Sequence, residues 1–214
     1  MIELVAVDYN GTLAPHNGEA SPEVLNRLNE FRGKGIKIAL ITSKPKAYLP
    51  EGIERFFDAI ACETGLVIYA GGRKLSYEDS EWRKLLRFIL KRFSNPLMVG
   101  EASIIYPIEL MGELKKELAD KGELIVSKDK VVIAPLGTSK RKALYSVKKI
   151  LNVKGAVACI GDGENDLDLL KAAEIPIAVA NAVDEVKKAA RIITKQENGM
   201  GVLEALEVLT RLKA

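Results

Sequence analysis

The sequence predicts an α/β fold, a parallel sheet covered on both faces, interrupted by a small α+β insertion. Two observations carry this. Short apolar runs alternate with helical patterns through the first and last thirds of the chain, which is the signature of strand-helix-strand units. Between about residues 75 and 136 the pattern changes to helix, strand, helix and hairpin. With 214 residues, 48% of them hydrophobic, the chain can build a substantial core and still carry an inserted unit. The expected organisation is a core made of residues 1–74 and 137–214, with 75–136 inserted.

The first strand is the apolar run at 4–7. Ser21-Pro22-Glu23 then reads as a helix N-cap, a proline at the first helical position and an acid in the first turn. That helix shows Val24, Leu25, Leu28 and Phe31 on one face and ends near Gly33 and Gly35. A second buried strand is expected at 36–41, a short helix at 53–57, strands at 59–62 and 66–69, and a turn at Gly71-Gly72. In the insertion, a helix at 79–93 presents Trp82, Leu85, Leu86 and Ile89 as core residues, followed by a strand at 103–106 and a helix at 108–121. Residues 123–127 and 130–134 flank Lys128-Asp129 as a hairpin. The last third reads as a helix at 140–151, strand 156–160, helix 166–173, strand 177–179, helix 183–190, strand 191–194 and helix 201–213.

Composition narrows the function. A net charge of +3 is too near neutral to argue for nucleic acid, and aromatic residues do not interleave with the basic cluster around Lys140, Arg141 and Lys142. No apolar stretch approaches the ~20 residues a membrane span needs, and the chain runs straight into a strand, so neither a membrane anchor nor a signal peptide is expected. A soluble cytoplasmic protein, monomer or homodimer, is the expectation. Cys62 and Cys159 lie in apolar stretches and read as buried reduced thiols.

Four separated pieces fall at or just beyond the C-terminal ends of predicted core strands, where parallel sheets place their sites. They are Asp8-Tyr9-Asn10-Gly11-Thr12, then Thr42-Ser43, then Lys140, then Gly161-Asp162-Gly163-Glu164-Asn165-Asp166. Taken alone, each has a plain reading. Asn-Gly favours a turn, the acidic run suits a helix start, and Thr42 is an ordinary strand end. The acidic run is no EF-hand loop, since Leu167 stands where glycine is required, and no G-x-G-x-x-G follows the first strand. His16 is either a solvated loop residue or a gate to a substrate.

In this order the four pieces resemble the motifs of the haloacid dehalogenase superfamily of phosphohydrolases. The acidic block, with Ala180-Asn181-Ala182 and Asn198-Gly199, is similar to its Cof-type branch. The placement of the insertion resembles a type-2 cap, and its small size the archaeal phosphoglycolate phosphatases. The resemblance implies a Rossmann-like parallel-sheet core with a small cap. It also implies hydrolysis of a small phosphorylated metabolite, 2-phosphoglycolate first and sugar phosphates second. Asp8 would be the nucleophile. Mg²⁺ would be held by Asp8, Asp162 and the Asn10 carbonyl, with Asp166 as ligand or supporting acceptor. Gly11, Thr42, Ser43 and Lys140 would bind phosphate, and Glu101, Ser103 and Lys128 are candidate cap contacts to substrate. The residue types suit these tasks, because transfer to a carboxylate requires cations and donors around two like charges.

Asn10 departs from the family pattern, which has a proton-shuttling Asp there. An amide cannot exchange a proton at neutral pH. Three readings follow: a phosphatase, slow or served by another acid; a long-lived aspartyl-phosphate that favours phosphotransfer; or a pseudoenzyme that binds a phosphorylated ligand.

Overall fold

The apolar run near the N-terminus forms β1 (Ile2–Val7), buried throughout except at Glu3. A strand buried on both faces must be covered on both, and the connections supply the cover. The computed structural model describes residues 1–212 of the chain. After β1 come α1 (Pro22–Gly33), β2 (Lys37–Ile41), β3 (Ala59–Cys62), β4 (Val67–Ala70) and β5 (Arg73–Ser76). The middle of the chain forms α2 (Ser80–Arg92), β6 (Met98–Val99), β7 (Ile104–Pro107), α3 (Met111–Leu118), β8 (Glu123–Ser127) and β9 (Lys130–Ala134). The last part forms α4 (Lys140–Ile150), β10 (Ala156–Gly161), α5 (Leu167–Lys171), β11 (Ile175–Ala178), α6 (Asp184–Ala189), β12 (Ile192–Ile193) and α7 (Asn198–Arg211). The end of the last expected helix, at Lys213, lies outside the described residues.

Eight strands form one sheet in the order β12-β11-β10-β1-β2-β3-β4-β5. From β12 to β3 the pairing is parallel. β4 and β5 add an antiparallel edge, so the sheet is mixed where the sequence suggested a parallel one. The chain steps from β1 through β2 to β3 on one side and from β10 through β11 to β12 on the other. Right-handed crossovers in opposite directions put α1 and α5 on opposite faces. α1 packs with α7, and α4 with α5. The reversal of direction between β1 and β10 leaves a crevice beyond their C-terminal ends.

A second sheet, β6-β7-β9-β8, is antiparallel throughout. Its strands alternate faces with period two. Ile104, Tyr106, Val131 and Ile133 join Trp82, Leu86, Ile89, Leu114 and Leu118 in a core separate from that of the large sheet. Ile105 and Val132 face the opposite way, toward the crevice. Asp79 caps α2 by accepting from the N–H groups of Glu81 and Trp82, both at 2.9 Å.

Backbone N–H groups of the second sheet tie it to the first at three places. The Glu63 carboxylate, buried just after β3, accepts from the N–H groups of Glu101 and Ala102 and from the Ser103 hydroxyl, at 2.8–2.9 Å. The Lys128 N–H donates to Glu164 at 2.9 Å, and the Val99 N–H to the Tyr48 hydroxyl at 3.2 Å. Among the described residues no helix is long and apolar enough to cross a membrane.

Candidate active site

β1 ends at Val7 and delivers Asp8 into the crevice, with the Asp8 N–H still paired to Ile160 of β10 at 3.1 Å. The chain then turns back through Gly11, whose φ of +81° lies in the left-handed region that favours glycine. A Cβ there would also collide with Asp162 Oδ2 and His16 Nε2. Asn181 fixes this turn: its Nδ2 donates to the Gly11 carbonyl at 2.7 Å, while its Oδ1 accepts from the Asn198 N–H at 2.8 Å. The two asparagines of the Cof-type resemblance therefore act as props for the loop after β1.

β10 delivers Asp162 beside Asp8, and the short turn that follows returns Asp166 to the same spot. One carboxylate oxygen from each of Asp8, Asp162 and Asp166 lies within 4.8 Å of the other two, and all three residues are buried. Lys140, the first residue of α4 after its Ser139 cap, inserts among them and donates to Asp8 Oδ1 and Asp166 Oδ1, each at 2.6 Å. Asp166 Oδ2 accepts from the N–H groups of Asp162 and Gly163 at 3.0 Å each. Both Asp166 oxygens are thus engaged within the protein, and Asp166 orients Lys140 and Asp162. Asp162 accepts from the Thr12 hydroxyl at 2.8 Å through Oδ1 and from Lys128 Nζ at 2.5 Å through Oδ2.

The electrostatics follow from this crowding. Burial raises the Asp8 carboxyl to about 7; Lys140 opposes the rise, and Asp166 and Asp162 add to it. Burial works against the Lys140 charge, but Asp166 and Asp8 outweigh it and hold the ammonium above its ordinary range. Three buried carboxylates face two ammonium groups, and with all three ionised a further cation would balance the excess negative charge. Hard oxygen donors in this number suit Mg²⁺ or Ca²⁺.

Across the crevice, the Thr42 hydroxyl oxygen accepts from the Lys44 N–H at 3.1 Å, which leaves its hydrogen free to donate. Ser43 also lines the cleft, but its hydroxyl is engaged by Asn165 and Thr64, both at 3.0 Å. Asn10 lines the cleft, and its amide donates to the His16 carbonyl at 3.0 Å. The His16 ring is within 2.8 Å of Lys128 Nζ, and burial followed by Lys128 lowers its pKa. The cleft between the two sheets has a volume of about 50 Å³.

Three expected contacts need correction. The Gly11 N–H does not face the cleft but donates to the Ala14 carbonyl at 2.7 Å, closing its own turn. Glu101 is exposed and pairs with Lys74 at 2.6 Å, outside the cleft. Ser103 is fully buried and donates to Glu63, so it ties the sheets together and does not line the cleft. Lys128, at the hairpin tip, does reach the cluster. Sequence reasoning missed Glu63, Lys44, Lys130 and Asn165. Asn165 sits inside the quoted acidic block and Lys44 directly follows Thr42-Ser43, and that adjacency was the available signal. Burial raises the Cys62 thiol to about 12 and raises that of Cys159, as expected of inert core cysteines.

Known proteins match this chain over nearly its whole length. It is 31% identical to phosphoglycolate phosphatase 2 of Saccharolobus solfataricus, covering 95% of this chain and 91% of that relative. It is 29% identical to the phosphoglycolate phosphatase of Sulfurisphaera tokodaii, covering 95% and 92% respectively. The crystal structure of Thermoplasma acidophilum 0175 superposes with a TM-score of 0.81 at 18% identity, covering 97% of each chain. A solved subclass IIB sugar phosphatase of the same superfamily gives 0.73 at 18% identity, covering 90% of this chain and 93% of that one. The family model for haloacid dehalogenase-like hydrolases matches residues 73–206, and the chain belongs to that family.

Proposed function

We propose that this protein hydrolyses a small phosphomonoester through a phosphoryl group carried transiently on Asp8, and that phosphoglycolate is its substrate. The observation that carries the reading is the buried Asp8 carboxylate held at 2.6 Å by Lys140, itself oriented by Asp166, at the mouth of the crevice. Lys140 keeps one Asp8 oxygen engaged and leaves the other to attack phosphorus in line. Its ammonium also faces the charge that develops on the phosphoryl oxygens, and the Thr42 hydroxyl donates to them. The acidic cluster fits Mg²⁺, held by Asp8 and Asp162 with the Asn10 carbonyl, and that ion would supply positive charge against the phosphoryl oxygens. The names of the two archaeal relatives support phosphoglycolate.

The second sheet acts as a cap that excludes water, with Glu63 as its fixed point on the core. At the acid position the Asn10 amide is bonded to a backbone carbonyl and supplies no proton, so leaving-group protonation and water activation are slow. A pseudoenzyme reading draws on this same observation. Phosphate release from phosphoglycolate, with Mg²⁺ and with EDTA, separates the two. Mg²⁺-dependent release that disappears in Asp8→Asn supports the phosphatase. Saturable binding without release supports the pseudoenzyme.

A further inference from the structure

Two lysines in the cleft take no part in the chemistry above. Lys44 follows Thr42-Ser43, and its backbone is fixed on both sides: its N–H donates to the Thr42 hydroxyl, and its carbonyl accepts from Glu63 at 3.4 Å. Its ammonium lies over the Tyr9 ring, 4.9 Å from the centroid. Lys130 opens β9, paired with Ser127 and Pro107, and shares the cleft-facing register of Val132. Both line the same small space as Asp8, Asn10 and Thr42.

Among the described residues neither makes an ion pair. Asp8 is already taken by Lys140 and Asp162 by Lys128. Asp129 also lines the space, but it is exposed, and among the described residues it makes no ion pair. Burial lowers the Lys44 pKa, and Lys130 lowers it further against the opposing pull of Asp8. Two partly buried ammonium groups of like charge, one from each sheet, face a gap beside the nucleophile. An anion placed between them would relieve both the repulsion and the desolvation.

We infer that Lys44 and Lys130 form a recess that takes the carboxylate of the substrate, so that the cleft selects carboxylate-bearing phosphomonoesters over ones of the same size that lack a carboxylate. This rests on the phosphomonoesterase reading and assigns its specificity to two residues. The recess is complete only when the second sheet lies on the core, so the carboxylate would also hold the cap closed.

The test compares phosphoglycolate with hydroxyethyl phosphate, which has a hydroxymethyl group in place of the carboxylate, by kcat/KM with Mg²⁺. In Lys44→Gln and in Lys130→Gln the preference for phosphoglycolate should fall about tenfold or more, the scale of a lost charge-assisted hydrogen bond. Lys44→Arg, which keeps the charge, should retain most of the preference. An unchanged ratio in both Gln variants, with both esters still hydrolysed, would overturn the recess and leave the phosphatase reading standing. If neither ester is hydrolysed, the phosphatase reading fails, and calorimetric binding of the two esters to the unmodified protein decides the recess. Tighter binding of phosphoglycolate that Lys130→Gln abolishes supports it, and equal binding refutes it.

Discussion

Replacing Lys140 by Met would leave Asp8 and Asp166 without the cation they share. The wild-type ammonium is buried and makes two contacts of 2.6 Å, while one oxygen from each of the three carboxylates lies within 4.8 Å of the other two. Breaking a buried ion pair by removing one partner costs about 3–5 kcal/mol, because the remaining charge stays buried and uncompensated. For a chain of this size that corresponds to a melting temperature lower by roughly 6–20 °C. The cost should depend on pH, and its sign follows from Asp8. Its folded pKa of about 7 is above the ordinary carboxylate value, so metal-free stability falls as pH rises from that ordinary value through about 7. Without Lys140 the Asp8 carboxyl moves higher still. Lys140→Met should therefore be destabilised less at pH 5, where Asp8 is protonated in both proteins, than at pH 8. Denaturant unfolding in EDTA at the two pH values measures this, and added Mg²⁺ should recover part of the loss at pH 8. A loss below about 1 kcal/mol at pH 8, the scale of an exposed pair, would refute the reasoning.

Further consequences can be measured separately. Mg²⁺ binding requires ionised Asp8, so calorimetry in buffers of different ionisation enthalpy should show proton release at pH 6 and almost none at pH 8. Glu63→Ala removes the acceptor of three hydrogen bonds between the sheets and should cost about 3 kcal/mol in denaturant unfolding, with a raised KM for phosphoglycolate. An unchanged KM would mean that the second sheet keeps its place without this tie. Asn10→Asp should raise phosphate release by about 10²–10⁴-fold, the usual worth of general acid–base catalysis. Equal rates in both proteins would mean that another group moves the proton.

How much of this was legible in the sequence depended on whether the signal was local. The strand before Asp8 is a run of apolar residues, and the N-cap at Ser21 carries its own chemistry, so β1 and α1 could be read directly. β5 could not. Its residues, Arg73-Lys74-Leu75-Ser76, lie on an open sheet edge with little burial, so they show no apolar alternation. β6 is two residues long, too short for any period. Asp8, Asp162, Asp166 and Lys140 were legible as a group because each sits at a strand end or helix start and their types complement one another. Glu63 was not, because nothing in Cys62-Glu63-Thr64 signals a left-handed glutamate with φ of +53° reaching into another sheet. Glu101 and Ser103 were misread for the same reason, since their neighbours are set by docking. Lys44 and Lys130 meet only because the β8–β9 hairpin folds over the loop after β2, a juxtaposition set by tertiary contact alone.

The proposed hydrolysis stands on Asp8 carrying the phosphoryl group. The most direct measurement is acid quenching of the protein after mixing with phosphoglycolate and Mg²⁺, followed by peptide mass spectrometry. A phosphoryl adduct should appear on the peptide containing Asp8, accumulating because Asn10 slows its hydrolysis, lower in Asn10→Asp and absent in Asp8→Asn. Turnover without an adduct at any time point, or an adduct that survives Asp8→Asn, would contradict that role for Asp8.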